Sequence, residues 1–171
     1  MEETFKHIIA EHNGILYKIA RAYASEKVDF DDLYQEMLIQ LWNSFARFQG
    51  KAKISTWIYR VALNTALTFT KKKKRKPQTT EVTAWMMEQA DDGGAQLDLE
   101  KKQQQKIDLL YQSINELPKD ERALILLHLE GKSYEESAEI MGITTNYVGV
   151  KIMRIKKRLF KLLSDKGYGR I

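Results

Sequence analysis

Apolar residues recur at intervals of three and four along most of this 171-residue chain, a spacing that places them on one face of an α-helix. The first such series runs over residues 5–23. The second runs over residues 33–45 and follows Asp29, Asp31 and Asp32, acids that suit the positively polarised start of a helix. No segment of convincing length alternates with the two-residue period of a β-strand. The pattern therefore predicts an all-α protein.

A third series follows a break at residues 49–53, and we expect Ser55 or Thr56 to cap a helix that runs into the lysines near residue 76. The net charge is +6 over residues 1–76, −4 over 77–105 and +3 over 106–171. The acidic stretch also holds turn formers, including Pro77 and a Gly93-Gly94 pair. These features predict two small helical domains, 1–76 and 106–171, joined by a flexible acidic linker at 77–105.

The second domain contains the pattern of a helix-turn-helix. We expect Pro118 in the first turn of one helix and Gly131 in the left-handed conformation that closes it. Ser133 and Glu136 then match a capping box, and Gly142 permits a tight turn into the last helix. The second helix of such a motif enters the major groove. On its exposed side and leading end we expect DNA contacts from Thr145, Asn146, Tyr147, Val150, Lys151 and Arg154.

The first domain holds a second group of candidate DNA-binding residues. Aromatic and basic side chains near one helical face, behind a polar loop, suit single-stranded DNA, whose bases need planar surfaces and whose backbone needs cations. The alternative is that Trp57 is a core residue and that the basic residues 71–76 form a solvated helix end. The residues in question are Trp57, Arg60, Asn64 and Lys71, with Lys51 and Lys53 in the loop.

Several classes of protein are disfavoured. The chain has no cysteine, so it can form no disulfide and no cysteine-based metal site, and His7, His12 and His128 are isolated from one another. We therefore expect no enzyme, no catalytic residue, no metal and no cofactor. The longest apolar stretch, residues 123–129, is far shorter than the roughly 20 residues that span a bilayer. Because Glu2 and Glu3 replace a signal peptide's basic flank, we expect a cytoplasmic protein without membrane insertion.

Taken together, these motifs resemble the extracytoplasmic-function (ECF) sigma factors, the two-domain initiation subunits of bacterial RNA polymerase. Residues 32–36, DLYQE, followed by Trp42, look like the family's D-L-x-Q-E-x-x-x-x-x-W helix. Residues 55–64, STWIYRVALN, are similar to its x-T-W-L-Y-R-I-A-R-N helix. Leu117-Pro118 with Arg122, and residues 130–136, look like the opening of the family's second domain.

The resemblance implies a role for each segment. The family's first motif binds the clamp coiled coil of the polymerase, which implies polymerase-binding roles for Asp32, Gln35, Glu36, Leu41 and Trp42. Its second motif is implicated in opening and reading the minus-10 element, and its second domain reads the minus-35 element. The implied minus-10 residues are Lys51, Lys53, Ser55, Thr56, Trp57, Arg60, Asn64 and Lys71. The implied partners are core RNA polymerase, promoter DNA as duplex and as melted nontemplate strand, and an anti-sigma factor.

Three positions depart from the family pattern: Leu63 stands where an arginine is usual, Ser137 where isoleucine is usual, and Gly149 where many members carry a basic or polar residue. Two other functions remain open at this stage. One is a helix-turn-helix regulator that binds duplex DNA without polymerase. The other is an adaptor whose lysine-rich segment meets an anionic membrane or RNA.

Overall fold

The structure is a computed structural model that describes residues 1–73 and 95–168, with side chains described for 1–70 and 98–168. Residues 74–94, which include most of the predicted linker, lie outside the described part, as does the side chain of Lys71. The described ranges contain no strand, so the predicted all-α class is confirmed. Their helices are α1 (Glu2–Tyr23), α2 (Lys27–Phe45), α3 (Ile54–Lys73), α4 (Ala95–Asn115), α5 (Lys119–Leu129), α6 (Tyr134–Met141) and α7 (Thr145–Asp165).

Helices α1 to α3 pack against one another as a three-helix unit. Their apolar stripes meet in a core in which Leu16, Leu33, Met37, Leu41 and Ile58 have no exposed surface. Each fully buried side chain of this size contributes about 1.5–3 kcal/mol through the removal of apolar surface from water. This shared core holds α2 and α3 side by side and so positions their outer faces.

Two helix starts differ from the prediction. Helix α2 begins at Lys27, because Glu26 is extended and its carbonyl accepts the first helical hydrogen bond from Phe30 at 3.0 Å. Asp31 and Asp32 therefore lie inside the helix. Helix α3 begins at Ile54, because the Trp57 N–H already donates to the Lys53 carbonyl at 3.1 Å. Ser55 and Thr56 are consequently first-turn residues and not caps.

The turns of the second domain follow the sequence signals closely. Ser133 and Glu136 form the predicted capping box, with reciprocal hydrogen bonds of 3.0 and 2.9 Å. Gly142 closes α6 at φ 68°, and Gly131 has φ 75°. Pro118, with φ −54°, precedes α5 as its N-cap and does not lie within the first turn. Helices α5 to α7 thus form the expected helix-turn-helix domain. Helix α4, which packs against them, begins at Ala95, inside the predicted linker.

The two helical units also pack on each other. Helix α1 contacts α4 and α5, and α3 contacts α6. The Tyr23 hydroxyl donates to the Lys119 carbonyl at 2.5 Å, and the Asn115 amide donates to the Arg21 carbonyl at 3.2 Å. Burial raises the pKa of Tyr23 above its ordinary value, so the hydroxyl stays a donor. These hydrogen bonds lie at the C-terminal end of α1, so α1 and α3 both connect the two units.

Candidate nucleic-acid and protein interfaces

The leading end of α7 is open to solvent. Thr144 caps the helix by accepting a hydrogen bond from the Tyr147 N–H at 3.2 Å. The opposite face of the helix is anchored by Val148 and Ile152, which are buried. Five of the six predicted duplex contacts are exposed on the remaining surface: Thr145, Asn146, Tyr147, Val150 and Arg154. Hydroxyl, amide, apolar and guanidinium groups on one helix end can read base edges and bind phosphates.

Lys151, the sixth predicted contact, is engaged by acidic groups of α5. Its Nζ lies 3.7 Å from a carboxylate oxygen of Asp120 and 3.7 Å from one of Glu121, and its side chain is 21 % exposed. Burial lowers the pKa of Lys151, but the Tyr147 hydroxyl and the two carboxylates outweigh this and raise it above its ordinary value. Lys151 is therefore a paired cation on the flank of α7.

Gly149 faces the preceding helix of the motif. A Cβ added there would lie 3.4 Å from Cε2 of the Tyr134 ring. The Tyr134 ring therefore lies over Gly149 at a distance that an added methyl group would meet as an ordinary van der Waals contact. Ser137, another departure from the family pattern, is 2 % exposed and lies in the interior of this domain.

The predicted minus-10 residues on α3 are divided between surface and interior. Asn64, Lys51 and Lys53 are exposed, and Ser55 and Arg60 are partly buried. Thr56 is 4 % exposed, so its side chain supports the surface from beneath. Leu63, at the position where an arginine is usual, is 1 % exposed and is likewise interior. Its place in the structure explains why an apolar residue is accommodated there.

Trp57 is half-buried in an aromatic cluster. Its ring centroid lies 5.0 Å from that of Phe48 and 6.1 Å from that of Phe45. The sequence alone left Trp57 either as a core residue or as a DNA-binding residue. In the structure Trp57 packs on these rings and keeps part of its surface accessible, so both descriptions apply in part.

Two predicted DNA-binding cations of the first domain contact α6. Arg60 Nη2 donates to the Glu139 carbonyl at 3.0 Å and lies 3.8 Å from the Glu139 carboxylate. Lys53 Nζ lies 3.9 Å from the Glu136 carboxylate. Arg60 is therefore engaged by α6, whereas Lys53, whose side chain is 79 % exposed, makes only a weak surface contact.

A groove of about 550 Å³ with a mixed polar and apolar lining lies between α2 and α3 and includes Asn64. Its lining is rich in hydroxyl and amide groups, which can donate and accept hydrogen bonds. The groove is also lined by four residues that the sequence did not single out: Gln40, Ser44, Thr65 and Thr68. Nothing local in the sequence shows that the two helices leave a gap there.

A second groove, of about 700 Å³, lies between α1 and α2 and is mostly apolar. Trp42, 43 % exposed, forms one wall, with its ring edge against Phe5 at 5.1 Å between centroids. Asp32 and Gln35 are exposed on α2 and Glu36 is partly buried, whereas Leu41 is fully buried. Leu41 therefore cannot touch a partner directly. Ile9 and Ile39 also line the groove and were missed, although Ile39 lies off the buried stripe of α2.

A metal-ligand cluster and a membrane-spanning helix are both absent from the described ranges, 1–73 and 95–168. No group of three or more His, Cys, Asp or Glu side chains there could hold a metal ion. None of the helices described is both long and apolar enough to cross a bilayer.

Two family models match the chain. Sigma-70 region 2 matches residues 8–76, and sigma-70 region 4 matches residues 107–159. Their order agrees with the two helical units and with the surfaces on α2, α3 and α7. Fold and site together define a sigma-70-type protein.

Similar proteins identify the group of sigma-70-type proteins to which the chain belongs. The ECF RNA polymerase sigma-E factor of Escherichia coli K12 is 31 % identical over 137 residues, which cover 77 % of this chain and 72 % of the relative. The sigma-E factor of Haemophilus influenzae is 27 % identical over 92 % of this chain and 86 % of its own. The chain belongs to the ECF sigma factors, as its motifs indicated.

Solved structures show the same fold. The sigma factor RpoE in complex with the anti-sigma factor NepR from Bartonella quintana matches with a TM-score of 0.71 and 20 % identity, over 95 % of this chain and 98 % of that one. CnrH in complex with the cytosolic domain of CnrY matches with a TM-score of 0.66 and 19 % identity, over 96 % and 90 % of the two chains.

Proposed function

We propose that this chain directs core RNA polymerase to promoters through three surfaces: α2 for the polymerase, α7 for upstream duplex, and α3 with its preceding loop for the melted strand. The observation that carries the proposal is the exposed row on α2, with Asp32, Gln35 and Trp42 beside an apolar groove. A regulator that acts through a helix-turn-helix alone has no need of a second large protein-binding surface.

The polymerase surface combines charge with an aromatic anchor. Trp42 presents a large apolar side chain already held by Phe5, so little conformational entropy is lost when a partner covers it. Asp32 and Gln35 add exposed acceptors for basic groups of the polymerase on the same helix, and Glu36 lines the neighbouring groove between α2 and α3. Leu41 contributes from below, by fixing α2 against α1 and α3.

The minus-35 element is read by α7 in the major groove. Asn146 and Arg154 offer an amide and a guanidinium for base edges and phosphates, and Val150 offers an apolar contact to a thymine methyl group. The free N–H groups at the start of α7 are suited to a phosphate.

The minus-10 element is captured as single strand. Trp57 and Asn64 receive unpaired bases, Lys51 binds the backbone, and Lys53 and Arg60 join them once they leave the glutamates of α6. Capture of unstacked bases offsets an unstacking cost of a few kcal/mol per base. Thr56 supports this surface from within, and Ser55 borders it. The expected contact of Lys71 stays a prediction, because its side chain lies outside the described part. Phosphodiester synthesis belongs to the polymerase, and this chain contributes binding alone.

We also expect regulation by an anti-sigma factor in the cytoplasm. The two solved relatives of this fold were each captured with such a partner or with a cytosolic domain bound. The apolar groove at Trp42 and the α2 row are the accessible surfaces that such a protein would have to cover to block polymerase.

The test is transcription in vitro from a genomic promoter library, with purified chain plus bacterial core polymerase and with core alone as control. We expect new discrete start sites that share two upstream sequence elements. If core gains no start sites while the chain alone retards duplex DNA, the chain is a stand-alone regulator and the polymerase surface is wrongly assigned.

A further inference from the structure

Glu121 is a buried carboxylate in the first turn of α5, with 6 % of its surface exposed. One of its oxygens accepts a hydrogen bond from Arg158 Nη1 at 2.6 Å, and the other lies 3.7 Å from Lys151 Nζ. Lys151 and Arg158 are seven residues apart, almost two full turns, so they lie on the same flank of α7. A single carboxylate of α5 thus holds the recognition helix at two points.

The environment of Lys151 keeps it in place. Asp120 adds a second carboxylate at 3.7 Å, and the Tyr147 ring centroid lies 5.6 Å from Nζ. A buried ion pair is screened by salt much less than an exposed one, and withdrawing the lysine would leave Glu121 charged and partly unpaired in the interior. A DNA phosphate must therefore compete with two carboxylates for Lys151.

Arg154 lies on the same flank of α7, three residues after Lys151 and four before Arg158. It is exposed, and the described ion pairs of α7 do not include it. Its guanidinium can meet a phosphate or a guanine edge without first breaking a contact within the protein.

We propose that Glu121 is a positioning residue for duplex recognition. It fixes the position of α7 on α5 and keeps Lys151 paired, so that Lys151 does not bind a DNA phosphate. Arg154 makes the phosphate contact in this part of α7. The inference rests on the proposed role of α7 as the duplex reader. It replaces the sequence-based expectation that Lys151 binds DNA.

The first test compares two single variants of the full chain by the salt dependence of binding to a short mixed-sequence duplex, followed by fluorescence anisotropy. Each lost phosphate contact lowers the slope of log K against log salt by about 0.9. Arg154→Gln is expected to lower the slope by about 0.9, whereas Lys151→Gln leaves it at the wild-type value. Lys102→Gln, on the exposed surface of α4, controls for the change in net charge. A drop of about 0.9 for Lys151→Gln overturns the proposal.

The second test removes the charge of Glu121. Glu121→Gln is expected to release Lys151 and Arg158, which steepens the slope and tightens binding to mixed-sequence duplex. The double variant Glu121→Gln/Lys151→Gln is expected to lose part of that gain in slope and affinity. A purely structural role predicts a lower melting temperature with an unchanged slope, and that result overturns the proposal. If Glu121→Gln does not fold, the comparison of Lys151→Gln with Arg154→Gln still shows which of the two cations contacts phosphate.

These binding assays are independent of polymerase. Failure to obtain new start sites with core polymerase would overturn the proposed sigma function. The salt-dependence slopes would still test the proposed role of Glu121.

Discussion

Arg21 of α1 and Asp108 of α4 form an ion pair between the two helical units, with side chains only 10 % and 18 % exposed. The guanidinium carbon of Arg21 also lies 4.4 Å from the Tyr111 ring centroid, and Gln104 donates a hydrogen bond to Asp108 at 2.9 Å. A buried charge that loses its partner stays in a poorly solvating environment. The contact between α1 and α4 therefore depends on both members of the pair.

Asp108→Ala is expected to lower the free energy of unfolding by about 3 kcal/mol, because it leaves the Arg21 guanidinium buried without its carboxylate. Urea unfolding followed by circular dichroism measures the change. The matched control is Lys18→Ala, which breaks the more exposed pair with Glu130 at 2.6 Å and should cost less than about 1 kcal/mol. Equal losses in the two variants would contradict the importance of burial here.

Gly149 and Gly142 should respond to alanine in opposite directions. Gly149 is helical, and its added Cβ would meet the Tyr134 ring at 3.4 Å, an ordinary contact, so Gly149→Ala should stabilise by up to about 1 kcal/mol through helix propensity. Gly142 has φ 68°, where a Cβ is strained, so Gly142→Ala should destabilise by about 1–2 kcal/mol. Melting temperatures of the two variants test this. Loss of stability in Gly149→Ala would show that the ring cannot accept the methyl group.

Glu136 should carry an acid-sensitive part of the stability. The hydrogen bond from the Ser133 N–H is the main cause that lowers its pKa below the ordinary value of 4.5, and Lys132 and Lys53 add to the effect. Because the pKa is lower in the folded state, the stabilisation is present above pH 4.5 and is lost as the pH falls through the lowered pKa.

Glu136→Gln should therefore reduce stability at neutral pH and show less further loss on acidification than the wild type does. Denaturant unfolding at neutral pH and below pH 4.5 gives the comparison. Glu135→Gln, on the exposed neighbour, is the control and should retain the wild-type pH dependence. A parallel response of the two variants would rule out a special role for the capping box.

Asn64→Ala should impair promoter melting more than upstream duplex binding, because Asn64 lies in the groove between α2 and α3, whereas the expected duplex contacts lie on α7. Loss of one hydrogen bond to an unpaired base is worth about 1 kcal/mol, or roughly fivefold in the fraction of open complex. Permanganate reactivity of unpaired thymines in the holoenzyme complex measures melting. Asn43→Ala, exposed on α2, serves as control. Equal loss of melting and of duplex binding by Asn64→Ala would refute the assignment.

Trp42→Ala should weaken binding to core polymerase by about 2 kcal/mol, or roughly 30-fold, because aromatic anchors that become buried carry much of the energy of an interface. A fluorescence competition assay with labelled wild-type chain gives the affinity. Leu99→Ala removes another exposed apolar side chain, on α4, and should leave the affinity unchanged. Wild-type affinity in Trp42→Ala would move the polymerase contact away from the groove.

The helices and their turns were largely predictable because their causes are local. The capping box joins Ser133 to Glu136 within one turn, and Gly131 and Gly142 adopt positive φ because their immediate neighbours require it. The two helix starts that the sequence predicted incorrectly, at Lys27 and Ile54, also have a local cause. Backbone carbonyls of Glu26 and Lys53 accept the first helical hydrogen bonds, and polar side chains nearby merely resemble caps.

The sequence by itself determined which residues are helical, which stripes are apolar and to which family the chain belongs, since each depends on short-range spacing. Only the tertiary structure decided which charged and aromatic residues are available. In the sequence Lys151 and Arg60 look like free cations, yet the carboxylates that engage them come from other helices. Leu41 and Thr56 lie within functional motifs, yet packing of α2 and α3 removes both from the surface. Burial and ion pairs between helices depend on how the helices pack against one another, and the spacing of residues along a single helix does not determine that packing.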